Sequence, residues 1–392
     1  MAERVSEASP PQPEWRREPY RLLFPLGVVL GGTGMVHWLL YAVGVTMQWR
    51  STFHALALVQ GFLLCFALGF LFTFIPRRTG TVGPSAVQLG ASLVLPVLLT
   101  ASAWVEAWLW SQLFFLAQLG VLLGFVVPRV RQPAPGRSVP EGMVWVPVAL
   151  VTGAVGSLLT TVAPVGVPGL HGLGTGLLLQ GLFTCLVLGV GGMLLPMFLH
   201  GQPPGVASGP ERRWRLGLHL GAALLFVASF PLEAWGLPRM GHALRAAVAA
   251  AVLVGPVRLW RPPSQGGMHR WLIWGSAWLL PLGYLLVALR PELRVTGLHV
   301  VFVGCFALMT LAVSVHVVLA HGGHGPLLSR YPWQVVTMGV LLLAALVARL
   351  LMSLAPAHLW LWLGCAAGAF LLALLLWVLF LGPLARREPS PY

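Results

Sequence analysis

The chain has 392 residues, 57% of them apolar and only 9% charged, with a mean hydropathy of +0.84. That composition excludes a water-soluble domain, which needs a charged surface. The net charge of +14 comes from 24 basic residues, all Arg, against ten Glu. Because the Arg fall in the gaps between apolar runs, they suit anionic lipid headgroups and exclude a nucleic-acid partner.

The first 20 residues, MAERVSEASPPQPEWRREPY, are polar and Pro-rich with no apolar core before a small-residue cleavage site. They read as a disordered or surface-lying tail and not as a signal peptide. Apolar runs follow near 21–45, 51–75, 84–104, 107–127, 143–162, 170–199, 215–232, 241–257, 271–289, 296–320, 334–354 and 358–382. A hydrocarbon core of roughly 30 Å takes about 20 helical residues, and these runs lack the two-residue alternation of barrel strands. The expectation is an all-α polytopic membrane bundle of about twelve transmembrane helices. One membrane domain covers 21–382, between tails at 1–20 and 383–392. No internal duplication is evident by eye. Cys65, Cys185, Cys305 and Cys365 are isolated within apolar runs, which rules out a disulfide framework and leaves them as small apolar residues.

Counted by loop, 18 of the 24 Arg fall on the side that holds the N-terminus, leaving Arg50, Arg239, Arg245, Arg290, Arg294 and Arg349 for the other. By the positive-inside rule this predicts twelve spans with both termini cytoplasmic, and the expected location is the inner (cytoplasmic) membrane. Membrane carboxylates are scarce: only Glu106 and Glu233, both near span ends, are candidates, so an acidic proton relay is poorly supplied.

Twelve histidines are the conspicuous polar residues. In the predicted orientation His37, His54, His171, His242, His299 and His358 lie toward the outer side, and His200, His219, His269, His316, His321 and His324 toward the inner side. A lone intramembrane His usually serves helix–helix hydrogen bonding. A layer of imidazoles with few carboxylates suits haem iron or copper better than magnesium or calcium, which want oxygen ligands. His54 and His299 are the best pair on depth, each a few residues inside its span, and two axial His on neighbouring helices can clamp a haem. Arg50 and Arg294 precede them by about one turn, where guanidinium groups would meet haem propionates or else snorkel to the interface. His37 or His171 could serve a second haem or copper. His321 and His324, in the stretch HGGHGP, could bind a further metal or cap the helix end as cations.

Certain stretches carry a resemblance. GFLFTFIPRRTG at 69–80, with Gly69, Phe70, Leu71, Thr73, Pro76, Thr79 and Gly80, resembles the segment that ends the second helix of the NnrS family of polytopic membrane proteins. The run from His299 to Leu327 is similar to that family's later signature through His299, Gly304, Met309, His321, Gly323 and Leu327, and GGMLLPMFLHG at 191–201 resembles it through its Gly, Pro and Phe. The resemblance implies haem and copper and a role linked to nitric oxide and denitrification. FHALALVQGF keeps only His54 of the family's Trp-His-x-His-Glu stretch: Phe53, Leu56 and Ala57 stand where Trp, the second His and Glu are expected, and His316 and His324 where Arg is expected. These departures remove copper ligands from the second span and leave a haem between His54 and His299. The topology is also similar to the main subunit of haem–copper oxidases and nitric oxide reductases, although the paired His of their seventh helix have no counterpart here.

The leading expectation is a haem protein of nitric oxide or respiratory metabolism that binds the gas or passes electrons. The competing expectations are a cofactor-free transporter, which would need discontinuous helices and central charges, and an accessory subunit packed against a respiratory or nitric oxide reductase complex.

Overall fold

A computed structural model describes residues 13–162, 168–203 and 205–386. The remaining tail residues 1–12 and 387–392 lie outside that description. Among the described residues, eleven helices are long and apolar enough to cross a membrane. In chain order with one shorter helix they are α1 Tyr20–Ala42, α2 Ser51–Thr79, α3 Ala86–Trp104, α4 Trp108–Arg131, α5 Glu141–Val162, α6 Gly169–His200, α7 Gly209–Ala234, α8 Pro238–Val254, α9 Met268–Leu289, α10 Pro291–His321, α11 Trp333–Leu354 and α12 Pro356–Ala385. Helix α8 has 17 residues, about 25 Å at 1.5 Å per residue, and it carries Arg239, His242 and Arg245 in place of a pure apolar run. The polytopic all-α bundle expected from hydropathy is thus present, with eleven such helices among the described residues where about twelve were expected; α8 falls short of the others in length.

Lipid offers no hydrogen bonds to the backbone, so each crossing satisfies its own amides as a helix and the tight loops are where side chains intervene. Ser85 and Gln88 form a reciprocal cap at the start of α3. The ends of α2, α6 and α10 each turn on a left-handed glycine: Gly80 (φ +69°), Gly201 (φ +67°) and Gly323 (φ +76°).

That recurrence is part of a larger one. The tetrapeptide Cys-Phe-Ala-Leu occupies both 65–68 and 305–308, and halfway between them Cys185 and Leu188 hold the equivalent places, so these positions repeat every 120 residues. Gln60 and Gly61 repeat as Gln180 and Gly181, Gly69 as Gly189 and Pro76 as Pro196, at the same interval. Each stretch falls in the second helix of a four-helix unit, and each contains wide π-helical turns: Ala57–Leu63 in α2, Leu177–Gly181 and Val187–Gly191 in α6, and Val300–Ala307 in α10. Packing obeys the same symmetry. The last helix of one unit lies against the first of the next, α4 on α5 and α8 on α9, and α12 on α1 closes the ring. The chain is therefore a threefold repeat of four helices, which reading by eye misses because so few identities survive.

Small residues set the close approach of the first two helices in each unit. A side chain at Gly283 would meet the Gly297 carbonyl at 2.8 Å, and one at Gly156 the Leu178 amide at 2.5 Å. In the absence of a hydrophobic drive between helices in lipid, such backbone contact is what holds the pairs together.

The termini meet at one face of the bundle. Glu18 binds Arg77 at the end of α2, its carboxylate lies 3.7 Å from His321 at the end of α10, and His324 of the following loop donates to the Leu384 carbonyl of α12 at 3.4 Å. Residues 13–20, assigned by sequence to the tail, are thus docked: Arg16 donates to the Gly83 and Pro84 carbonyls, and Glu18 and Tyr20 are buried.

Candidate functional site

The threefold ring creates three equivalent spaces between neighbouring units, and side chains fill two of them. Between the first and second units Gln60 and Gln112 exchange hydrogen bonds at 3.1 and 3.3 Å, and Ser157 donates to Gln112 at 2.9 Å. Between the second and third units lies Arg245, fully buried on α8. It donates to Ser229 Oγ (2.9 Å), Gln180 Oε1 (3.0 Å) and His242 Nε2 (3.1 Å), pairs with Glu233 at 2.7 Å and stacks on Phe230. Glu233 in turn holds Arg294 at 2.7 Å, and nearby Thr184 and Tyr284 hydrogen-bond at 2.8 Å. Counted by loop as an outer-face residue, Arg245 is instead fully buried, made tolerable by a carboxylate and three neutral acceptors.

The third space, between the last unit and the first, is open. It is a cavity of about 360 Å³ enclosed by α1, α2, α10, α11 and α12, within the range of small-molecule and cofactor sites. His54 and His299 both line it. His54 sits where α2 begins and His299 at the entry to the π-helical turns of α10, a distortion frequent at functional sites. His54 Nδ1 lies 3.3 Å from the Gly34 carbonyl and His299 Nδ1 2.7 Å from the Val295 carbonyl. A carbonyl only accepts, so each Nδ1 carries the proton and each Nε2 keeps its lone pair. Trp38 stands edge-on to His54 at 5.7 Å. Apart from Ser51 the rest of the wall is apolar, with Met352, Leu363 and Phe370 among its residues, and one cation, Arg349 of α11, which donates to Met352 Sδ at 3.1 Å and has no carboxylate partner among the described residues.

The other residues singled out by sequence go elsewhere. Arg50 binds Gln48 at 2.6 and 2.8 Å, bonds the Trp104 carbonyl and stacks on the Trp104 ring at 4.5 Å. Arg294 is held by Glu233, so neither guanidinium that precedes the histidines by a turn faces the cavity. His37, buried, donates from Nε2 to the Gln48 carbonyl at 3.1 Å and packs against Phe53 and Trp104. His171 belongs to α6, outside the cavity, with Nδ1 buried and without a hydrogen-bond partner among the described residues. His321 and His324 diverge, the first toward Glu18 and Tyr20, the second toward Leu384. Burial pushes the Glu18 carboxyl up, against the opposing pull of Arg77. No group of three or more His, Cys, Asp or Glu comes together among the described residues.

Sequence reasoning missed Arg349. Its signal was there: a lone cation inside an apolar run, a feature that marks function in membrane helices. Spacing along one helix points only to cations a turn from each histidine, whereas Arg349 arrives from α11.

The two imidazoles and Arg349 fit a haem. Haem takes one or two axial nitrogens, an apolar surround and a cation beside its carboxylates, and His54, His299, the apolar lining and Arg349 are groups of those kinds.

In a comparison with protein families, the model of the family described as "NnrS protein" matches residues 14–388. A comparison with curated proteins finds no match. The chain belongs to the NnrS family.

Proposed function

We propose that this NnrS-family protein holds one haem in the open space, between His54 and His299, and serves nitric oxide or respiratory metabolism by binding the gas or passing electrons. The observation that carries the reading is two imidazoles, each with its Nδ1 proton committed to a backbone carbonyl, lining one apolar cavity beside a guanidinium with no carboxylate partner among the described residues. Haem, when bound, supplies a redox-active iron with affinity for diatomic ligands.

The chain's own residues act on it in three ways. Donation from Nδ1 to the Gly34 and Val295 carbonyls fixes the tautomer and ring orientation and makes Nε2 a better donor to a metal. Arg349 compensates a carboxylate that would otherwise be buried without a counter-ion. The walls formed by Trp38, Leu363 and Phe370 exclude water, which sharpens every charge interaction inside. If both imidazoles bind iron, the site is closed to ligands and suited to electron transfer; if one stays free, a gas can enter.

The Arg distribution supports an inner-membrane protein with both termini in the cytoplasm, since the face where the termini meet is the Arg-rich one. A respiratory or nitric oxide reductase complex is the partner class this role implies. The test is a reduced-minus-oxidised absorption spectrum of purified protein, with and without carbon monoxide. A Soret difference that His54→Ala and His299→Ala each shift or abolish is the expected result. Protein from haem-replete cells with no Soret band overturns the proposal, and a carbon monoxide shift separates gas binding from electron transfer.

A further inference from the structure

A second void lies on the threefold axis. The inner helices α2, α6 and α10 surround it, and its volume is about 120 Å³. It belongs to a series. Leu63 is a wall of both this void and the His54/His299 cavity, while Phe70, Leu194 and Phe198 are walls of both the void and a smaller pocket of about 90 Å³ that holds Thr73, Arg77, His316 and His321. A line of spaces thus runs from the face that carries the termini to the open cavity, polar at one end, dry in the middle and imidazole-bearing at the other.

The middle is the discriminating part. Phe24, Phe66, Phe70, Phe183 and Phe306 dominate its lining, and no charged side chain reaches it. Of its two hydroxyl residues, Ser314 is already satisfied: its Oγ donates to the Leu311 carbonyl and accepts from Trp377 Nε1, both at 2.7 Å. Water needs two to four polar partners to stay in a cavity, and apolar cavities of about 150 Å³ stay dry yet take up xenon. An ion or a hydrated proton would lose its solvation here without compensation. A small uncharged molecule would lose nothing.

We propose that the axial void is a binding site for small uncharged molecules of diatomic size, and that it feeds them past Leu63 into the cavity of His54 and His299. The site itself is independent of the haem reading; the delivery step rests on it.

Xenon is the probe for the site. Full-length protein under xenon pressure should show a bound atom among Phe66, Phe70 and Phe306, and this should vanish in Ala67→Phe, which fills the void from α2. Val187→Phe fills it from α6 and covers the case in which the first variant fails to fold. Ordered water, an acyl chain or nothing in the void of the wild type overturns the site. For delivery, carbon monoxide rebinding after photolysis should slow about tenfold in either variant, one barrier increment of that size, with an unchanged absorption spectrum. Unchanged rebinding overturns delivery. Protein that binds xenon but contains no haem overturns the proposed function and leaves the site standing.

Discussion

Arg349 is a cation on an otherwise apolar wall, four residues after Ala345 and three before Met352, both of which face the same cavity. With haem bound as proposed, a guanidinium so placed would raise the potential felt by the iron and could pair with a propionate. Replacement by Gln should therefore stabilise the ferric state and lower the haem midpoint potential by the equivalent of roughly 1–2 kcal/mol, the Coulomb energy of a unit charge about 10 Å away at an effective dielectric near 20. Arg349→Lys should recover most of that shift. Redox titration checks both, and a potential unmoved in the Gln variant removes Arg349 from the site. Residue-scale legibility was uneven for a physical reason. Depth along a helix can be read from sequence, which is why His54 and His299 emerged as a pair. The partner of a charged side chain across space cannot, so Arg50 and Arg294 looked like propionate anchors until Trp104, Gln48 and Glu233 were seen to hold them.

At the scale of elements, α7, α8 and α10 are tied by one carboxylate. Glu233 receives both Arg245 and Arg294 at 2.7 Å, and Arg245 has no exposed surface. Glu233→Gln leaves two cations with no counter-ion and should cost about 3–5 kcal/mol of stability, the usual consequence of orphaning a buried charge. Adding Arg245→Met should cost less than the sum of the single changes, because the two residues share one interaction. Unfolding in mild detergent measures each; strict additivity contradicts the clamp. The first two helices of each unit depend on glycine instead. Gly283→Val would press its side chain on the Gly297 carbonyl and the Val301 amide, parting α9 from α10 at a cost of about 1–3 kcal/mol. Since His299 rides on α10, haem retention should fall with it. Span positions were legible because hydropathy survives any sequence change that keeps a helix in lipid. The π-helical turns were not, since a widened turn leaves no compositional mark in an apolar run.

Across the whole molecule, three equivalent spaces have met different fates. Two are filled by Gln112 with its partners and by Arg245 with its own, and the third is kept open by Trp38, Met352, Phe370 and their neighbours. The repeat of 120 residues escaped reading by eye, as it rests on Cys65, Cys185 and Cys305 and a few flanking positions, while packing conserves the arrangement of helices far more than the side chains that face lipid. Orientation has its own test. In a Cys365→Ser background, Met47→Cys, in the exposed loop after α1, should react with a membrane-impermeant maleimide on intact cells. Gln132→Cys, after α4, should react only once the cells are opened, and the reverse pattern inverts the topology.

Haem content per chain puts the central claim to the most direct test. Purified wild-type protein should carry one haem per chain, and the His54→Ala/His299→Ala double variant, folded to the same extent by gel filtration, should carry none. A double variant that retains the full complement would show that the iron, if present, is held elsewhere.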